Sequence, residues 1–178
     1  MRYGSIADIY TLNAKVREDF LAVVDSLTDD EINALPDGEA WSIGYIVEHV
    51  AIVNAGMAGI CGKLVEKAKA DGAGPSVGLS ISEKFYEYIA MMATLKAEAP
   101  ERVRPTGDLS ITESKERLAA GVDTFDSLRD GFETIDLSDP KFPHPYFGDL
   151  TAIEWFALAG LHERRHSDQI GRIIGKIR

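Results

Sequence analysis

Apolar residues return every third or fourth position along most of this chain, the period that lays a single stripe along a helix. Ile9, Leu12, Val16, Phe20 and Val23 mark a first helix from about Ser5 to Leu27, closed by a polar connector containing "LPDGEA". A second begins at Trp41 or Ser42 and reaches about Ala70, where "DGAGPSVG" supplies successive breakers. The pattern from Ile111 to Thr134 predicts a third major helix, and that from Thr151 nearly to Arg178 a fourth. Between the second and third, Ser80 to Ala99 is less cleanly striped and is bounded by Pro100 and Pro105. It reads as an accessory helix inside a long crossover.

Helix starts carry their own signature. Thr28 with Glu31, Ser80 with Glu83, Ser110 with Glu113 and Thr151 with Glu154 each fit a capping box, in which hydroxyl and carboxylate satisfy amide donors that the first turn leaves free. Runs of alternating β-branched residues between turn signals are missing, and "LSDPKFPHPYFGDL", with three prolines and a glycine, reads as an extended loop. The expected class is all-α: a four-helix bundle with long crossover connections, built as one domain over residues 1–178.

Composition narrows the function. Twenty-nine acidic against nineteen basic residues leave a formal charge of −10, and the densest basic run is Arg164 and Arg165 alone, so nucleic acid is not the expected partner. The most apolar stretch, "VAIVNAGMAGICG", is interrupted by an asparagine and glycines and falls short of the ~20 residues a membrane span requires, so it reads as a buried helix segment. One cysteine, Cys61, cannot close an intramolecular disulfide, and "MRYGSIADIY" is not a secretory signal. The expected address is cytoplasmic.

The chemistry sits in "LHERRHSDQI". His162 and His166, four residues apart, share one helix face with Trp155, Ala159, Ile170, Ile173 and Ile177, which puts both imidazoles inside an apolar stripe. His49 repeats this on the second helix, among Ser42, Ile46, Val53, Gly56 and Ile60. Buried imidazoles without partners are costly, so three of them on inward faces point to a common divalent metal. Imidazole suits zinc, nickel, iron and copper alike.

"HERRH" also fits the H-E-x-x-H pattern of zinc proteases, whose glutamate is the general base. Only twelve residues follow His166 and none is a histidine, so a downstream third ligand is lacking; helical rotation turns Glu163 toward the charged side with Arg164, Arg165, Asp168 and Arg172. Cys61 lies about 18 Å of helical rise from His49 and reads as a buried thiol. His144, in the proline-rich loop just before the final helix, could close over the site or pack within the loop, and packing is the favoured reading.

"WSIGYIVEHV", "FPHPYFGDLTAIEWF" and "LHERRHSDQI" resemble, in order and spacing, successive motifs of the DinB-like (DinB/YfiT) superfamily. That resemblance implies a four-helix bundle holding a divalent metal, zinc, nickel or iron, on three histidines at the positions of His49, His162 and His166. It further implies a homodimer and a metal-dependent transferase that joins a small-molecule thiol to an electrophile. A non-catalytic metal-binding bundle and a metal-dependent hydrolase use the same ligands and stay open as alternatives.

Overall fold

The computed structural model describes residues 2–92 and 98–178. Its elements in chain order are α1 (Ile6–Asp25), α2 (Asp29–Asn33), α3 (Ile43–Ala70), α4 (Glu83–Met92), a 3-10 turn (Glu101–Val103), α5 (Ile111–Ser127), α6 (Arg129–Thr134), β1 (Lys141–His144), β2 (Gly148–Thr151) and α7 (Ala152–Ile177). Helices α1, α3, α5 and α7 form a four-helix bundle, as the striping predicts.

Side-chain contacts fix the directions. Asn13 donates to the Phe156 carbonyl at 3.0 Å and Arg17 pairs with Glu163 further along both helices, so α1 and α7 run parallel. Cys61 meets the Ala152 carbonyl while His49 meets His162, so α3 and α7 are antiparallel. Tyr10 donates to the Phe125 carbonyl and Arg17 to that of Leu118, which makes α1 and α5 antiparallel and therefore α3 and α5 parallel. Two parallel neighbours in sequence need a connection that returns along the bundle, and residues 71–110 are that crossover. Close approach is bought with glycine: a Cβ on Gly160 would overlap Asn13, and one on Gly121 would overlap Asn54.

Three of the four expected capping boxes form, at Thr28, Ser110 and Thr151. The fourth does not: Glu83 is bound by Arg2 instead, and the Ser82 hydroxyl, not that of Ser80, accepts from the Phe85 amide at 3.2 Å. Helix α4 therefore starts at Glu83; of its expected C-terminal stretch toward Ala99, residues 93–97 lie outside the described residues. The third major helix is interrupted at Leu128.

The proline-rich segment is not a plain loop. Lys141–His144 and Gly148–Thr151 pair as an antiparallel hairpin in which Pro143 faces Asp149. Both strands of a two-stranded ribbon are edges, so a proline without an amide donor is admitted. Gly148, at φ 69°, takes the left-handed position that ends the short turn.

Helix α3 is long and apolar enough to cross a membrane by length and composition, yet it is the bundle's central helix and about half of its apolar window is buried within the protein. Two apolar cores result. One gathers Phe20, Val24, Ile43, Ile46, Val47, Val50, Leu118, Ile170 and Ile173. The other surrounds Phe125, Phe132 and Phe156, with Met57, Cys61 and Val65 from α3.

Candidate metal centre

Between the two cores a polar layer crosses the bundle. His49 from α3 and His162 and His166 from α7 converge there, with their ligand nitrogens all within 4.8 Å of one another. His49 Nε2 and His166 Nε2 each lie 3.2 Å from His162 Nε2. Tetrahedral coordination at the usual zinc to imidazole distance would hold such nitrogens about 3.3 Å apart.

The other ring nitrogens decide the tautomers. His49 Nδ1 is 2.7 Å from the Val103 carbonyl, an acceptor only, so Nδ1 carries the proton and Nε2 presents a lone pair. His166 Nδ1 is 2.9 Å from Gln169 Oε1, which fixes it in the same way. His162 Nε2 thus stands between two lone pairs, and in a neutral ring its single proton can serve at most one. A cation removes the conflict.

Protonation would not. Burial holds all three imidazoles below their ordinary range: His49 modestly, His162 well below, with mutual repulsion among the histidines adding, and His166 down to about 3. Neutral imidazoles are the form that binds metal. The donor set therefore fits a divalent ion, and three protein ligands leave a coordination position open.

The carboxylates beside these histidines are engaged elsewhere. Glu48, 1 % exposed, accepts from the Thr106 amide and hydroxyl and, at 2.8 Å, from the Gly107 amide, so it clamps the crossover. Glu163 does not face solvent as its place in "HERRH" suggests. It is buried against Arg17 of α1, at 2.5 and 2.7 Å. Burial raises its carboxyl above the ordinary range, against the lowering effect of Arg17. Turned toward α1 and held there by both Arg17 contacts, it is no general base for a ligand on the histidines, which removes the zinc-protease reading.

Cys61 is fully buried with its thiol against the Ala152 carbonyl and its pKa pushed up, an inert packing residue. Two contributors are not among the residues the sequence reading singled out: Gln169, three residues past His166, and the Val103 carbonyl, 54 positions from His49. The spacing of Gln169 is a usable signal; a main-chain carbonyl leaves none.

Comparison with known proteins gives the family and the fold. The DinB superfamily model matches residues 13–170. The chain belongs to the DinB superfamily. An uncharacterised protein of Bacillus subtilis, YuaE, is 26% identical over 159 residues, covering 85% of this chain and 88% of its own length. Among solved structures, TT2238, described as a four-helix bundle protein, superposes with a TM-score of 0.62 at 20% identity over 94% of this chain and 99% of its own. That likeness supports the four-helix bundle and speaks only to fold.

Proposed function

We propose that this DinB-superfamily protein is a divalent-metal-dependent transferase that joins a small thiol to an electrophile, with His49, His162 and His166 as the metal ligands. The observation that carries the reading is the pair of Nε2 contacts at 3.2 Å made by His162, which neutral imidazoles alone cannot both satisfy. A bound divalent ion would supply a Lewis acid that lowers the pKa of a coordinated thiol toward neutrality.

The chain's own part is to hold three lone pairs toward one point and to exclude water around them. The thiol proton leaves to solvent, the sulfur lone pair forms the new bond to carbon, and the leaving group departs with the electron pair of the bond it loses. Side-chain acid or base is not required for this sequence, which suits a site whose neighbouring carboxylates, Glu48 and Glu163, are already occupied. The same occupation favours a second reading, a metal-binding bundle without catalysis.

Metal analysis of the purified chain, followed by turnover with a panel of thiols and a generic electrophile, separates them. Stoichiometric metal and thiol-dependent turnover, both lost in His49→Ala, are expected. Metal without turnover or thiol affinity across the panel would leave the binding module.

A further inference from the structure

The hairpin and the crossover enclose a cavity of about 730 Å³ at the N-terminal end of α7, a volume typical of small-molecule sites. None of the three clustered histidines lines it. Glu154, which does, precedes His162 by eight residues of α7, about 12 Å of helical rise.

The walls are held by hydrogen bonds of their own. Glu154, 3 % exposed, accepts from the Ser82 amide and hydroxyl at 3.0 and 2.7 Å and from the Thr151 amide at 3.0 Å. One buried carboxylate thereby joins α7, the hairpin and the crossover, with both of its oxygens in use. At the hairpin turn, His144 Nδ1 accepts from the Tyr146 and Phe147 amides at 3.1 and 3.3 Å, and its ring stacks on Phe147 with centroids 4.4 Å apart. Burial, with Arg102 adding, holds this imidazole down to about 4, so Nδ1 stays an acceptor at neutral pH. The Tyr146 hydroxyl donates to the Glu98 carbonyl at 2.6 Å and ties the same turn to the crossover.

The lining is of two kinds. Phe85, Tyr88 and Phe147 make an aromatic wall, in which Tyr88 stacks on Phe147 with centroids 5.9 Å apart. Lys84 and Lys141 add two exposed ammonium groups, and among the described residues neither enters an ion pair; the Lys84 Nζ lies 5.4 Å from the Tyr88 ring centre. Of the two carboxylates that also line the cavity Glu154 is already engaged, which leaves only Asp149 to set against the two lysines. Cationic charge thus prevails locally in a chain of net charge −10, and that excess favours an anion.

We propose that this cavity binds a small aromatic carboxylate, its ring against Tyr88 and Phe147 and its carboxylate taken by Lys84 and Lys141. The site is separate from the three histidines and does not rest on the thiol reading. An aromatic body gains from ring contacts with such a wall beyond the area it buries. The lysines stand in water, where each ion pair with the ligand amounts to about threefold in affinity.

The test follows the full chain by amide NMR and calorimetry, with 2-naphthoate as the probe. Titration of His49→Ala in parallel shows whether the carboxylate is instead meeting a metal. 2-Naphthoate is expected to shift the Ser82, Phe85 and Thr151 amides, to bind both proteins equally, and to bind about tenfold more tightly than 2-naphthylmethanol. That preference should fall about threefold in Lys84→Gln or in Lys141→Gln and vanish in the double variant, whose substitutions are exposed and leave the core intact. Octanoate, of similar apolar size, should bind several-fold more weakly. Equal affinity for the acid and the alcohol overturns the proposal, as does a preference that survives the double substitution. Tighter binding of 2-naphthylmethylamine would make Asp149 the anchor and overturn it too. Octanoate as tight as 2-naphthoate overturns the aromatic class, and shifts absent from this cavity or binding lost in His49→Ala overturn the site.

Discussion

The layer holding the histidines and the layer holding the aromatics are built on the same helices two to three turns apart, and they follow opposite rules. In the aromatic layer Phe156 of α7 stacks on Phe132 at 5.1 Å and packs against Phe125 and Tyr10, so shape and area do the stabilising. In the histidine layer the same helix buries Glu163 and His166 and half-buries His162, and each must find a partner of matched charge or lone pair. One layer stabilises through what it removes from water. The other is tolerated only because its groups are paired, and where the pairing is incomplete a ligand is implied.

The contrast breaks most visibly at its charged member. Glu163→Gln leaves Arg17 buried without its counter-charge and should cost about 3–5 kcal/mol in urea unfolding, whereas Arg17→Met with Glu163→Leu should restore most of that loss. A double variant as unstable as the single one would mean that Arg17 and Glu163 are not an isolated pair. Phe156→Ala should cost a comparable 3–5 kcal/mol by leaving a cavity, with metal affinity per folded molecule unchanged. A Phe156→Ala protein that folds but has lost its metal would show the two layers to be coupled.

His162→Ala should behave in the reverse way. Metal binding, followed by calorimetry, should disappear, while the metal-free protein stays within about 1 kcal/mol of the parent because a crowded nitrogen has been removed. Gln169→Leu sharpens the point, since it frees the His166 ring without touching a ligand atom. Metal affinity should fall about 10- to 100-fold and the metal-free fold should be nearly unaffected.

Acidification gives the most general effect. The His166 pKa is about 3 in the folded chain against an ordinary 6.5. The unfolded chain therefore binds the extra proton between those values, and stability that is complete above about pH 6.5 should decline as pH falls toward 3. His49 and His162 shift in the same direction and add to it. Thermal melts of metal-free protein across this window should show the decline, reduced in His166→Ala.

Much of this is legible in the sequence. Periodicity located the four bundle helices, and the two histidine stripes together with the family resemblance singled out His49, His162 and His166, because a metal site borrows the inward direction that the apolar pattern already reveals. What stayed hidden depends on long-range geometry. The hairpin was masked by Pro140, Pro143 and Pro145, which disfavour strands in general but are permitted at the edges of a ribbon. The burial of Glu163 was masked because rotation along α7 alone assigns it to the charged side, whereas α1 brings Arg17 to meet it there. The stripe drawn through Val53, Gly56 and Ile60 was also displaced: α3 buries Asn54, Met57, Ala58 and Cys61 instead, since it packs against both α5 and α7 rather than one helix.

The crossover has a kinetic meaning. Glu48 and His49, adjacent on α3, both hold it, one through the Thr106 and Gly107 amides and the other through the Val103 carbonyl. Joining parallel helices across so long a connection is a late event in folding, because its loop entropy is lost before its contacts form. The first ligand is consequently oriented only once the topology is complete, and the same strap must loosen before an ion can leave. Metal dissociation should then proceed no faster than local opening of residues 98–110, and hydrogen exchange at the Thr106 and Gly107 amides would time it.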